Sequence, residues 1–171
     1  YINIKANYLN GATKTKITLY NAEGQELGVT TLEEAEGMGE YTHAAQLFVE
    51  EPILWSSEEP YLYTVIFETE NEVITDRVGI REIHIENNIV YINGKKIKCK
   101  GVNHHDTSEF RGWCQTDEEL RYDLELIKEL NMNCVRTSHY PPTPKFLDMC
   151  DEIGLYVVLE NDIETHGFSL A

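Results

Sequence analysis

Three short apolar runs in the second half of this sequence each end in histidines or carboxylates. Ile97 to Val102 leads into Asn103-His104-His105-Asp106. Cys134-Val135 leads into Arg136-Thr137-Ser138-His139-Tyr140. Leu155 to Leu159 leads into Glu160-Asn161-Asp162-Ile163-Glu164-Thr165-His166. A single loop histidine is usually just solvated, whereas three such tips at the same place in a repeating pattern point to a site. Glu164 and His166 are two apart just past an apolar run, and in extended chain such residues face the same side. Together they could ligate a divalent cation. A carboxylate and an imidazole leave Mg²⁺, Mn²⁺ and Zn²⁺ all open, and the bland alternative is a solvated loop pair. Arg136, near the end of a run expected to be buried, needs a carboxylate partner, either a catalytic acid that it orients or a structural ion pair. His105 and His139 can donate hydrogen bonds to substrate hydroxyls or to developing charge. The sequence contains no Ser-centred nucleophile elbow, P-loop or Gly-rich dinucleotide loop.

These tips need elements to hold them. Thr116 with Glu119 makes a capping box, and Leu120, Leu124 and Ile127 follow as a helical stripe. Pro141 and Pro142 forbid a continuing strand. Thr143-Pro144 then reads as a helix start, Leu147, Cys150 and Ile153 as its stripe, and Gly154 as its stop. The order strand, tip, helix, strand, tip predicts βα units of a barrel whose chemistry sits where the strands end. Residues 1–84 read differently. Ile2, Ile4, Ala6 and Tyr8 alternate with polar residues, as do His43, Ala45, Leu47 and Val49, and then Tyr61, Tyr63, Val65 and Phe67. Asn10-Gly11 and Ala22-Glu23-Gly24-Gln25 mark turns, and Glu33 to Glu40 reads as an acidic loop. Short strands at this spacing predict a β-sandwich, immunoglobulin-like in architecture only, since no Cys-Trp-Cys arrangement is present. Trp55 and its tyrosines could stack on a sugar, but aromatics at strand spacing are more often core. Residues 85–97, with Asn87-Asn88 and Asn93-Gly94, read as a hairpin opening the second domain, 85–171.

Asp and Glu number 30 against 14 Lys and Arg, for a net charge of −16 spread over both halves. Such a surface repels nucleic acid and anionic membrane, so neither is expected as a partner. The four cysteines lack CxxC spacing. Cys99, Cys134 and Cys150 sit in apolar runs as core thiols would, which favours a reducing compartment. The chain lacks a starting Met and stops soon after the third tip, so a longer parent protein is expected.

The second-half motifs, and several in the first, resemble glycoside hydrolase family 2 and within it the β-galactosidases. Leu54-Trp55-Ser56, Pro60-Tyr61-Leu62-Tyr63 and Val78-Gly79-Ile80-Arg81-Glu82 look like that family's immunoglobulin-like domain running into its barrel. Ile92-Asn93-Gly94-Lys95 and Gly101-Val102-Asn103-His104-His105 look like the barrel entry. Asn133 to Pro141, Cys150-Asp151 and Gly154 to Val157 resemble the family signature. Ile163-Glu164-Thr165-His166-Gly167 resembles the β-galactosidase form of the third tip, rather than that of β-glucuronidases or β-mannosidases.

The resemblance implies an immunoglobulin-like sandwich followed by the first three βα units of an incomplete TIM (β/α)₈ barrel. It implies Mg²⁺ or Mn²⁺ on Glu164 and His166 with a further carboxylate downstream. His105 and His139 would contact the galactosyl group, and Arg136 would hold the nucleophilic glutamate. His104 stands where an arginine is common, and Asn161-Asp162 replaces Ala-Asn; both departures bear on fine specificity. The acid/base and nucleophilic glutamates are expected beyond this chain, which alone should be inactive. The parent is expected to be a cytoplasmic homo-oligomer acting on β-galactosides such as lactose. The alternatives are another glycosidase of the family and a non-catalytic carbohydrate-binding or assembly module.

Overall fold

A computed structural model describes residues 1–8, 13–35 and 41–163. The chain divides into two compact units, Tyr1–Trp55 with Tyr61–Arg81, and Ser56–Pro60 with Glu82–Ala171.

The first unit is all antiparallel β. Its strands are β1 (Ile2–Ala6), β2 (Lys16–Tyr20), β3 (Glu26–Thr31), β4 (Glu33–Glu34), β5 (His43–Leu47), β6 (Tyr63–Glu68) and β7 (Val73–Val78). They form two sheets, ordered β1-β5-β4 and β3-β2-β6-β7. Leu47 from the first sheet packs with Ile17, Leu19, Tyr63 and Val65 from the second, and Ile2, Ile4 and Ala6 lie against them. This is the expected sandwich, with side chains of both inner faces making one core. Trp55 is buried, and a Cβ on Gly79 would lie 2.7 Å from its ring. The indole is therefore core and not a sugar platform. The acidic stretch read as a loop from Glu33 instead starts as β4, whose Glu33 and Glu34 pair with Ala44 and His43. Both side chains are exposed, so their charge does not oppose edge pairing. Asn10 and Gly11 lie outside the described residues.

The second unit opens with a meander of β8 (Ile83–Glu86), β9 (Ile89–Ile92) and β10 (Lys95–Lys96). Asn87 and Asn88 both take positive φ (50° and 62°), the conformation of a tight hairpin turn that asparagine tolerates. Then come β11 (Gly101–His104), α1 (Asp117–Glu129), β12 (Cys134–Thr137), α2 (Pro144–Ile153) and β13 (Tyr156–Val158). The three strands are parallel in the order β11-β12-β13, each pair joined by a crossover helix.

Leu120, Leu124 and Ile127 of α1 pack on Val135, Phe146, Met149, Cys150 and Leu155. The capping box at Thr116 forms as expected: Glu119 N–H donates to Thr116 Oγ1, and Thr116 N–H to the Glu119 carboxylate. Those bonds, with Ser108 and Arg111 beside it, hold the Glu119 carboxyl below its ordinary range. Thr143 occupies the N-cap of α2, but its hydroxyl makes no capping bond. Pro144 at the first turn carries no N–H, so one donor that would need a cap is absent. The buried stripe of α2 is Phe146, Met149 and Cys150, with Leu147 and Ile153 only partly buried. The helix is thus rotated slightly from the Leu147-Cys150-Ile153 expectation, because Phe146 is the largest apolar group and takes the sealed position.

The strand expected from Ile97 begins only at Gly101, where a Cβ would stand 2.0 Å from Cys134 O. Residues 98–100 are instead tied to Asn133, whose Oδ1 accepts from Lys100 N–H (2.8 Å) and whose Nδ2 donates to Lys98 O (3.1 Å). Cys99 is consequently exposed rather than core, while Cys134 and Cys150 are buried, and all four cysteines are free. Among the described residues no helix is long and apolar enough to cross a membrane.

Candidate active site

Register decides which tip residues meet. Val102, Val135 and Val157 are in line across β11, β12 and β13, and so are Asn103, Arg136 and Val158. Val135 is sealed in the core against the helices, so alternation turns the Asn103-Arg136-Val158 row to the opposite face. Glu160, two residues past Val158, falls on that same face.

The side chains converge there. Arg136 donates through Nε (2.6 Å) and Nη2 to Glu160 Oε1, and through Nη1 to Asn103 Oδ1 (3.2 Å). His139 Nδ1 lies 3.0 Å from Glu160 Oε2. Glu160 N–H donates to Thr137 Oγ1 (2.9 Å), which fixes the carboxylate's own backbone. The Arg136 guanidinium, and next the His139 imidazole, hold the Glu160 carboxyl below the usual carboxylate range. It is therefore an anion through the neutral range.

His105 joins the group from the position just past β11. Its ring centroid is 5.9 Å from that of His139 and 6.0 Å from that of Tyr140, and the exposed Trp113 indole stands 6.2 Å away. Tyr140 Oη accepts from Asp106 N–H at 3.0 Å, tying the first tip to the second. The Ser138–His139 peptide is cis, and Ser138 N–H donates to His104 O (3.2 Å).

Neighbouring His104 goes the other way. Its nearly buried ring lies 3.2 Å from Asp123 Oδ2 of α1 and packs on Phe146 of α2. One histidine of the His104-His105 pair supports the helices and the other faces the cluster, as strand alternation requires. Cys134 lies on the cluster face, but burial, and next Cys99, pushes its thiol up to about 11. At neutral pH it is a protonated thiol and a poor nucleophile.

The structure thus brings His105, Arg136 and His139 together. Glu164 and His166 lie outside the described residues. Among the described residues no group of three or more His, Cys, Asp or Glu is placed to hold a metal ion. Asn103, Tyr140, Trp113 and the pairing of Glu160 with Arg136 and His139 were not singled out from sequence. The signal for Asn103 and Glu160 was the strand register, which aligning the three tips would have exposed.

Comparison with known proteins adds the family. Residues 83–171, just over half the chain, match "Glycosyl hydrolases family 2, TIM barrel domain", and residues 2–81 match "Glycosyl hydrolases family 2". The chain belongs to glycosyl hydrolase family 2. This family 2 chain is 43% identical over 166 residues to a β-galactosidase of Staphylococcus xylosus, spanning 97% of the chain and 16% of that protein. It is 46% identical over 114 residues to a β-galactosidase of an Arthrobacter species, spanning 67% of the chain and 11% of that protein. Among solved structures it superposes on Bifidobacterium dentium β-glucuronidase with a TM-score of 0.78 at 26% identity, covering 87% of the chain and 25% of that structure. Faecalibacterium prausnitzii β-glucuronidase gives 0.77 at 28%, covering 88% and 24%. The family 2 chain therefore spans under a fifth of the length of the β-galactosidases it matches.

Proposed function

We propose that this chain forms the sandwich and the first βα units of a (β/α)₈ barrel in a longer, retaining β-galactosidase acting on terminal β-galactosides such as lactose. The observation that carries the reading is the meeting of His105, Arg136 and His139 at the ends of adjacent parallel strands, where barrel enzymes keep their chemistry. The β-galactosidase relatives, at 36–46% identity, support galactose over glucuronic acid. The solved β-glucuronidases, at 25–28%, support glucuronidase as the second reading.

In a retaining mechanism a carboxylate forms a glycosyl-enzyme and a second carboxyl, about 5 Å away, serves as acid and then base. Both are proposed to lie outside these 171 residues. This chain supplies the wall of the site. His105 and, when its ring is protonated, His139 donate hydrogen bonds to sugar hydroxyls and to the charge that develops as the glycosidic bond breaks. Arg136 has five N–H donors, and those not spent on Glu160 and Asn103 are available to hold the nucleophilic carboxylate. Mg²⁺ or Mn²⁺ on Glu164 and His166 belongs to the same proposal; such an ion would add positive charge beside the reacting sugar. The four free cysteines support placement in a reducing, cytoplasmic setting.

The test is substrate profiling of the full-length parent on aryl β-galactoside, β-glucuronide and β-mannoside. Highest kcat/KM on the galactoside is expected, and a faster glucuronide would overturn the assignment. The 171-residue chain alone should turn over none of them, and light scattering of the parent should show a homo-oligomer.

A further inference from the structure

We infer that Glu160 is a positioning residue for this site: one carboxylate that aims the Arg136 guanidinium and selects which nitrogen of His139 faces the sugar. The inference rests on the glycosidase reading of the site and assigns a role to a residue that reading leaves unused.

The geometry divides the carboxylate between two partners. Oε1 takes the Nε–Nη2 edge of Arg136, and Oε2 takes His139 Nδ1 at 3.0 Å. A guanidinium is a rigid planar fork, so fixing one edge on Glu160 and Nη1 on Asn103 (3.2 Å) fixes the direction of every remaining N–H. One hydrogen on Nη1 and one on Nη2 are left to hold a further anion. His139 follows the same logic. A carboxylate only accepts, so the Nδ1···Oε2 contact requires the proton on Nδ1. The longer approach of Arg136 Nη2 to Nδ1 (3.4 Å) is then not a donated bond, because Nδ1 has no lone pair to offer. Nε2 is left facing away from Glu160, as acceptor when the ring is neutral and as donor when it is protonated.

Exposure separates this arrangement from a structural ion pair. The side chains of Arg136 and His139 are 37% and 62% exposed, while Glu160 behind them is 25% exposed. The two groups able to touch a ligand are thus the open ones, and the residue that holds them is the most enclosed. Its backbone is anchored in turn by Thr137 Oγ1, itself on β12. The carboxylate stands two residues past β13, and this bond ties it to the neighbouring strand.

Two measurements test this. The first reads imidazole nitrogens by long-range ¹H–¹⁵N correlation in the 171-residue chain near neutral pH. His139 should carry its proton on Nδ1, and Glu160→Gln, whose amide can donate, should move it to Nε2. A bare Nδ1 in the unsubstituted chain would overturn the assignment. The second is kinetic, in the full-length parent. Glu160→Gln should lower kcat on aryl β-galactoside on the order of 10²-fold, the usual loss when catalytic groups are misaimed, with little change in KM. Glu160→Asp should recover part of it, and both variants should remain folded at the assay temperature by circular dichroism. A Glu160→Gln enzyme with unchanged kcat, or one whose loss tracks only its folded fraction, would sink the positioning role. If the unsubstituted parent cleaves no galactoside, the proposed function falls, while the imidazole spectrum still decides whether Glu160 sets His139.

Discussion

Replacing Lys128 with Met should strongly destabilise the unit that carries the site. The Lys128 ammonium, at the end of α1, donates to Ser57 O and Oγ (3.0 Å) and to Gly154 O (2.8 Å). It therefore ties the last turn of α1 to the 56–60 segment and to the glycine that ends α2. Gly154 is itself confined there: its φ is +84°, and a Cβ would meet Ser57 O at 2.5 Å. Burial pulls the Lys128 ammonium below its ordinary range, against the Glu58 carboxylate, which raises it. Methionine keeps the aliphatic stem but donates nothing. A hydrogen bond to a charged group contributes about 1.5–3 kcal/mol, and a buried acceptor left bare costs about 1–3 kcal/mol. The three bonds share one ammonium and do not add, so the net loss should be about 2–4 kcal/mol. For a unit of this size that corresponds to a fall of about 10–25 °C in melting temperature. Circular dichroism melts of the wild-type chain and the Lys128→Met variant would measure it. A shift under about 2 °C would refute the reasoning, because it would mean that water replaces all three bonds at no cost.

Three further outcomes follow from the same structure. Thr18 is fully buried and its hydroxyl has no partner among the described residues, so Thr18→Val should leave the sandwich unchanged or stabilise it by about 1 kcal/mol; a clear loss in a denaturant titration would show that the hydroxyl is satisfied. Gly101→Ala should cost upwards of about 3 kcal/mol, since its Cβ would lie 2.0 Å from a backbone oxygen on the neighbouring strand; limited proteolysis should then open the β11–β12 region first. Glu160 has a folded pKa below its ordinary 4.5, so its contribution is fully present above that value and is lost as pH falls through the folded one. The gap in melting temperature between wild type and Glu160→Gln should accordingly narrow from about pH 6 to about pH 3, and a gap that widened would contradict the pairing with Arg136.

Much of this protein was legible in residue order, because its signals are local. Period-two alternation marked β1, β5 and β6. The Thr116-Glu119 box and the Leu120-Leu124-Ile127 stripe marked α1 to within a residue, since capping and helical spacing act over three or four positions. The strand-tip grammar picked out His105, Arg136 and His139, which the fold gathers on one face. Other features depend on distant parts of the chain and could not be read this way. Glu33 and Glu34 look like loop residues until β5 supplies an edge to pair with. Cys99 looks like a core thiol until Asn133 draws its backbone out of the sheet. Arg136 called for a carboxylate, but a charge attracts any opposite charge within reach, and sequence does not say which one arrives. The parallel register of β12 with β13 made it Glu160, 24 residues on, and through it tied His139 to the same anion.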